Sequence, residues 1–296
     1  MKPAPFEYYR ASSAADAASK LSELGDDAKV LAGGQSLIPL LSLRLTRFDH
    51  LVDIKRAPDL AELDVTDSEV RVGATTTQTE IVRSEEVAAA LPLLRLASSR
   101  VGHFQIRNRG TACGSIAHSD PAAEYPAVAS ALDAKIELLS VRGPRTVDAA
   151  DFFVSTFENA AAPDELVQAA TFPRWAPGSG FAVEEGSRRS GDFAIAGAVA
   201  AIELDGDGRV ARSAISLFGV GPTPFRAKVI EGELVGRGRS EFTASSLKEI
   251  GQMVGTEIEP PSDVHASANY RKHLAGVMAS RAVAKALEAA APVGGR

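Results

Sequence analysis

The stretch Lys29-Val30-Leu31-Ala32-Gly33-Gly34-Gln35-Ser36-Leu37 joins a short apolar run to two glycines and the start of a helix. Lys29, Val30, Leu31 and Ala32 predict a strand that stops at Gly33-Gly34. Ser36 then stands where a helix through Leu37, Leu40, Leu41 and Leu45 would want its cap. Pro39 fits there, because the first helical turn has no intrahelical N–H partners to lose. A strand that ends in two glycines and enters a capped helix leaves several N–H groups pointing into one concavity, and the missing Cβ atoms let an anion approach the main chain. Phosphate or pyrophosphate is the natural guest. A bare Gly-Gly also has a plainer reading, a tight turn whose glycines only supply positive φ. Neither GxGxxG nor GxxxxGK[ST] is present.

A second polar stretch runs from Ile106 to Pro126, through Arg107, Arg109, Gly110, Thr111, Cys113, Gly114, Ser115, His118, Asp120, Pro121 and Glu124. Gly110, Gly114 and the small residues between them let the backbone lie close against a ligand. Thr111, Ser115, His118, Asp120 and Glu124 place hydroxyl, imidazole and carboxylate groups within one loop and the start of the next helix. Asp120 reads equally as the N-cap of that helix, with Pro121 in its first position. His118, Asp120 and Glu124 lack a third well-spaced strong ligand, so they are not read as a metal site, and His118 reads as a hydrogen-bonding histidine rather than a general base.

Outward from these two stretches, Ser13–Leu24 reads as a helix capped by its serine, and strands are expected at Leu51–Ile54, Glu69–Ala74, Lys135–Val141 and Leu166–Thr171. Helical pattern falls at Thr77–Val82, Ala88–Ser98 and Ala122–Leu132. The mixture is α plus β without a clean βαβ alternation. Pro-Arg-Trp-Ala-Pro-Gly-Ser-Gly, between Phe172 and Phe181, is a cluster of turn residues that divides the chain into 1–176 and 177–296. The second part opens with an apolar run, Ala194–Leu204, turns at Asp205-Gly206-Asp207-Gly208 and returns through Val210–Val220, a hairpin signature. Helices near Phe242–Val254 and Ser267–Ala290 follow. The latter carries Tyr270, Leu274, Val277 and Met278 at helical spacing, and the apolar faces of both should cover one side of the sheet.

Composition limits the function. The 296 residues carry 32 Lys plus Arg against 38 Asp plus Glu, a net charge of −6 with no basic block, which argues against a phosphate-tracking nucleic-acid binder. Cys113 is the single cysteine, so no intramolecular disulfide and no zinc or iron–sulfur site built from several thiolates of this chain is possible. The five histidines show neither HxxxH nor HExxH spacing. The N-terminus lacks the apolar core of a signal peptide and no later stretch reads as a transmembrane segment, so a cytoplasmic protein is expected.

Together AGGQSL at Ala32–Leu37 and GTACGSIAHSDPAAEYPA at Gly110–Ala127 resemble the FAD-binding medium subunit of molybdenum hydroxylases, the carbon monoxide dehydrogenase/xanthine dehydrogenase family. The likeness extends to Phe6–Tyr9, Ile106–Thr111, Arg188–Ala194 and Ser267–Leu274, in order and at matching separations. It implies an α+β fold: a vanillyl-alcohol-oxidase/PCMH-type two-part FAD-binding domain, then a CO-dehydrogenase-flavoprotein-type C-terminal domain, an antiparallel sheet with helices. The resemblance implies that the turn from Ala32 to Ser36, including Gly33, Gly34 and Gln35, holds the FAD pyrophosphate, with Lys29, Val30 and Leu31 alongside and Leu37 following. Thr111, Gly114 and Ser115 would form a second cradle, His118 would hydrogen-bond nearby, and Glu124 would take the acidic position at the ribose or adenine. Gly102 and Leu166 correspond to backbone contacts, and Phe193 to an aromatic position near the isoalloxazine. Cys113 replaces a glycine of the commoner TxGG form and should pack inward, a redox or covalent-flavin role being the sharper alternative. Glu184 stands where some relatives carry a flavin-contacting lysine.

The function so implied is electron transfer, from [2Fe-2S] clusters on a small partner subunit through FAD to an external acceptor. Substrate would be oxidised at molybdopterin on a large partner subunit, and the assembly would be a dimer of heterotrimers. Two other classes compete: a self-contained flavin oxidase or dehydrogenase with its own small-molecule substrate, and a non-catalytic nucleotide-binding module.

Overall fold

A computed structural model describes residues 2–292. The first 53 residues alternate strand and helix: β1 (Glu7–Arg10), α1 (Ala14–Leu24), β2 (Ala28–Leu31), α2 (Leu37–Leu43) and β3 (His50–Asp53). The strands form a parallel sheet in the order β1-β3-β2. The sequence pattern anticipates α1, β2, α2 and β3 but not β1, Glu-Tyr-Tyr-Arg, which is a mostly exposed edge strand without apolar alternation. Helix α1 starts as expected, the Ser13 hydroxyl accepting from the Asp16 N–H at 3.1 Å, and buries Ala14, Ala17, Ala18 and Leu21 on one stripe.

Helix α2 departs from its reading. Ser36 has helical φ and ψ of −105° and −49°, so its hydroxyl does not turn back to cap the first turn, and the helix stops at a left-handed Arg44, leaving Leu45 outside it and exposed.

A second sheet is antiparallel throughout: β4 (Leu63–Val65), β5 (Glu69–Gly73), β6 (Lys135–Ser140), β7 (Gly143–Asp148) and β10 (Leu166–Pro173), ordered β4-β5-β10-β6-β7. A short pair, β8 (Phe153–Ser155) and β9 (Glu158–Asn159), stands beside it. Between its strands run α3 (Gln78–Arg83), α4 (Glu85–Ala90), α5 (Pro92–Arg100), α6 (Phe104–Arg107), α7 (Ala112–His118), α8 (Glu124–Ala131) and α9 (Ala149–Phe152). The single helix expected over Ala88–Ser98 is broken at Leu91, because Pro92 has no N–H to continue it and opens α5 instead. The helix expected from Ala122 begins two residues later. Asp120 is not its cap: its carboxylate accepts from the Ala122 N–H at 2.9 Å, closing a turn ahead of an extended Ala123.

The third sheet, β11 (Gly180–Gly186), β12 (Ala196–Leu204), β13 (Val210–Phe218) and β14 (Phe225–Arg226), is antiparallel in sequence order. Its β12–β13 hairpin turns where expected, with the Asp205 carboxylate accepting from the Asp207 and Arg209 N–H groups at 3.0 and 2.9 Å. Strand alternation sends Ala182, Ala198, Ala200, Ile202 and Leu217 into one core and Phe181, Val183, Val199, Ala201 and Phe218 into another. The first core is closed by α10 (Lys228–Leu234) and α12 (Ala268–Ala289), and the second by α8 from the first part of the chain. The sheet is therefore covered on both faces, and an apolar core runs continuously from the first part of the chain into the second.

Helix α11 (Ala244–Glu257) packs on α12 rather than on the sheet, contrary to expectation. A Cβ on Gly276 would lie 2.2 Å from the Gly251 carbonyl oxygen, so the two helices touch backbone to backbone. The inward face of α12 is mainly alanine, with Ala275, Ala279, Ala282 and Ala286 beside Met278, and the expected Tyr270 is half exposed.

Candidate functional site

The glycine turn after β2 is packed directly against the second polar stretch. A Cβ on Gly33 would lie 2.3 Å from the Arg109 carbonyl oxygen and 2.7 Å from the Gly110 Cα, so only glycine permits this approach, and Gly34 has a φ of +71°. The Gln35 side chain closes the turn by donating to the Gly33 carbonyl at 3.1 Å. Among the described residues, the backbone N–H groups of Gly33, Gly34, Gln35, Ser36 and Leu37 donate to no protein acceptor, and the Ser36 hydroxyl has no partner. Consecutive free donors with a free hydroxyl form an anion nest.

The second stretch is not the loop the sequence suggested. Ala112–His118 is helix α7, capped by Thr111, whose hydroxyl accepts from the Gly114 N–H at 3.0 Å. A Cβ on Gly114 would meet that hydroxyl oxygen at 2.7 Å and the Ala32 Cβ at 3.9 Å. The two glycine-bearing stretches thus face each other, Ala32–Gly34 on one side and Gly110–Gly114 on the other. The Gln78 N–H donates to the Gly110 carbonyl at 2.9 Å, tying this wall to α3. Gln78, which no sequence pattern marked, also holds a buried Oε1 without a partner beside Gly110.

Cys113 packs inward, as expected. Its thiol donates to the Val72 carbonyl at 3.2 Å, and burial pushes its pKa up to about 12. A thiol so held is inert. Ser115 is half-buried with its hydroxyl unpartnered among the described residues. Desolvation, opposed by Asp120 and aided by Lys29, draws the pKa of His118 below its ordinary value, and its ring stacks on Phe157 at 4.9 Å. Lys29 leaves the strand beside Val30 and Leu31, with its ammonium 5.6 Å from the Phe48 ring and its pKa lowered by desolvation.

Further along the cleft, Gly102 has a φ of +41°, and Arg107 donates to the Val101 and Gly102 carbonyls at 2.8 and 3.0 Å. Arg107 thus braces this turn rather than offering a free cation. A Cβ on Gly191 would lie 2.3 Å from the His103 ring, which brings the Arg188–Phe193 loop onto the Gly102 turn. Phe193, 70% exposed, lines a cleft of about 900 Å³ with Asp120, Pro121, Arg188, His265 and Arg271. Leu166 has its side chain in the core. Glu124 opens α8, and burial pushes its carboxyl up to about 8, with Glu185 and Asp120 adding to the rise.

Glu184 lies on the β11 face turned to α12, where Lys285 donates to it at 2.5 Å. Glu185, which the sequence reading did not single out, lies on the face packed against the first part of the chain, with Oε2 buried and unpartnered. The signal was available in the two-residue period of a strand. Among the described residues no cluster of His, Cys, Asp and Glu could hold a metal ion, and no helix is long and apolar enough to cross a membrane.

Comparisons with known proteins show the family. Residues 4–175 match a family described as the FAD binding domain in molybdopterin dehydrogenase, and residues 181–286 match the CO dehydrogenase flavoprotein C-terminal domain. The 6-hydroxypseudooxynicotine dehydrogenase complex subunit alpha of Paenarthrobacter nicotinovorans is 39% identical, over 99% of this chain and 98% of its own. The carbon monoxide dehydrogenase medium chain of Hydrogenophaga pseudoflava is 36% identical, over 96% and 97%. A solved structure of the carbon monoxide dehydrogenase from that organism superposes with a TM-score of 0.93 at 37% identity, covering 98% of this chain and 100% of the matched one.

Proposed function

This chain belongs to the family of FAD-binding medium subunits of molybdenum hydroxylases, oxidoreductase components with a two-part FAD-binding domain and a CO-dehydrogenase-type C-terminal domain, and from that premise we propose that it carries electrons between partner subunits and an external acceptor. Electrons would arrive one at a time from [2Fe-2S] clusters on a small subunit. Substrate would be oxidised at molybdopterin on a large subunit, in a dimer of heterotrimers in the cytoplasm. Bound FAD supplies the redox chemistry here, since it accepts electrons singly and delivers them singly or in pairs.

The observation that carries the reading is the nest of free N–H groups at Gly33–Leu37, closed by a wall that Gly33 and Gly110 bring into backbone contact. It suits a pyrophosphate. We assign the pyrophosphate to Ala32, Gly33, Gly34, Gln35 and Ser36, with Leu37 leading into the helix and Lys29, Val30 and Leu31 along its flank. Thr111 holds the facing helix in place, Gly114 leaves room and Ser115 offers a hydroxyl. His118 is placed to hydrogen-bond nearby. Gly102, Glu124, Leu166 and Phe193 bound the remainder of the cofactor, Leu166 through its backbone because its side chain is in the core. The division into 1–176 and 177–296 separates the FAD-binding part from the part that carries Phe193.

Substrate choice belongs to the large subunit's molybdenum pocket. Carbon monoxide, N-heterocycles and aldehydes are the candidate classes, and the named relatives are subunits of a 6-hydroxypseudooxynicotine dehydrogenase complex and of a carbon monoxide dehydrogenase. The test is anaerobic mixing of the FAD-loaded chain with reduced small subunit, followed by flavin absorbance. Bleaching of the flavin by the small subunit, and none by organic substrate alone, is the expected result. Reduction of the flavin by organic substrate in the isolated chain would favour a self-contained oxidase instead.

A further inference from the structure

The two-residue turn between β8 and β9 carries a side chain that its backbone does not favour. β8 ends at Ser155 and β9 begins at Glu158, paired across the turn, and of Thr156 and Phe157 only Phe157 has a positive φ, +60°. A type II turn takes glycine or asparagine at that second position, because a Cβ there crowds the backbone, and a bulky residue is an outlier. The ring gains little shelter in return, since Phe157 is 57% exposed. Strain and exposure together weigh against phenylalanine as a packing residue.

What the ring touches is His118. The two rings stack with centroids 4.9 Å apart and planes inclined at 30°. The hairpin is fastened to the end of α7 on either side of that histidine: the Asn159 side-chain amide donates to the Ala117 carbonyl at 2.8 Å, and the Phe157 N–H donates to the Ser119 carbonyl at 3.1 Å. Among the described residues no hydrogen bond holds the imidazole, so the stack fixes the plane of its ring. Next to the stack, Thr156 joins Asp120, Pro121 and Ala122 in lining the cleft that Phe193 borders.

We propose that Phe157 is a positioning residue for the cofactor: its ring holds the His118 imidazole in the orientation that hydrogen-bonds FAD, and the strained turn persists because it delivers the ring to that place. This rests on the FAD reading given above. A histidine ring turns broadly about its last torsion, and a stacked neighbour restricts that turning without occupying either nitrogen. The ordering is then complete before FAD arrives, so less freedom is lost when the bond to the cofactor forms. Phenylalanine suits the task because it offers a flat face and no polar group to compete for the imidazole.

The test is the FAD affinity of the full chain, followed by flavin fluorescence quenching, beside the thermal midpoint of the flavin-free chain. Phe157→Gly removes the strain and the ring together. Its midpoint is expected to hold or to rise by up to about 2 °C, because relief of strain offsets the lost stacking. Its Kd for FAD is expected to rise about threefold, the worth of one side chain no longer held in advance. Phe157→Asn, which also suits a positive φ, should repeat this divergence of stability and affinity, and Phe157→Tyr, which keeps the ring, should retain most of the affinity. His118→Ala should raise the Kd about fivefold, the factor that one ordinary hydrogen bond represents. Adding Phe157→Gly to it should raise the Kd no further, because the phenylalanine acts through the histidine. Wild-type affinity in both Phe157→Gly and Phe157→Asn overturns the proposal and leaves the FAD reading standing, and so do losses that simply add in the double variant. A wild-type chain that takes up no FAD, alone or with its partner subunits, overturns the FAD reading and the proposal with it.

Discussion

The two stretches that meet at Gly33 and Gly110 are built in opposite ways. Gly33–Leu37 leaves consecutive N–H groups and the Ser36 hydroxyl free, whereas Gly110–His118 is braced by the Thr111 cap, the Cys113 thiol on Val72 and the Gln78 bond to Gly110, with the Ser115 hydroxyl left unpartnered. On the proposed function the first wall meets the pyrophosphate, and the second chiefly supports it. A scaffold wall should fail through stability, and a ligand wall through binding. The change that breaks this division most severely is Gly33→Val. Its side chain would start 2.3 Å from the Arg109 carbonyl oxygen, so the walls must part. Near-complete loss of FAD after desalting is expected, with destabilisation of about 3 kcal/mol in thermal melts of the flavin-free chain. Full flavin content in a folded Gly33→Val protein would show that the nest is not the pyrophosphate site.

A matched pair of smaller changes sharpens the division. Thr111→Ala removes a hydroxyl that accepts from the Gly114 N–H, which is worth about 1 kcal/mol to the flavin-free protein. Ser36→Ala removes a hydroxyl that caps nothing, so its effect on the flavin-free protein should stay within about 0.5 kcal/mol. The order should reverse for FAD affinity measured by fluorescence quenching, with Ser36→Ala weakening binding directly. Equal effects of the two variants on stability would mean that Ser36 caps α2 after all.

The same contrast explains what was legible in the sequence. The glycine turn was readable because a strand, two glycines and a helix start are local signals, and the turn forms between β2 and α2. Helix α7 was not readable: Gly114, Thr111, Cys113 and Ser115 all have weak helix propensity, and the helix forms because Thr111 caps it and Ala112, Cys113 and Ile116 are buried. Strand β1 was hidden for a related reason, since its parallel pairing with β3 rather than an apolar pattern makes it a strand. Ser36 misled because a serine ahead of an apolar run predicts a cap only if its own backbone is extended, and no local signal reveals that it is helical. The opposed surroundings of Glu184 and Glu185 depend on which face of β11 meets α12, a tertiary fact. The family resemblance named the cofactor. It did not reveal that Leu166 offers no side chain, nor the unpartnered carboxylate at 185.

Cys113 supplies the smallest effect and the cleanest reading of the scaffold wall. If it serves only as packing, its thiol should be inert in the native protein. With its pKa pushed up to about 12, roughly one thiol in ten thousand is ionised at pH 8, and burial shields even that fraction. A chromogenic disulfide reagent should therefore leave the native chain unlabelled and modify one thiol per chain at once in guanidinium. Cys113→Ala should cost about 1 kcal/mol through the lost contacts and leave the flavin content unchanged, since no part of the side chain faces the nest. Rapid labelling of the folded protein, or a covalent flavin released only by cleavage at this residue, would move Cys113 from the scaffold to the cofactor and erase the distinction between the two walls.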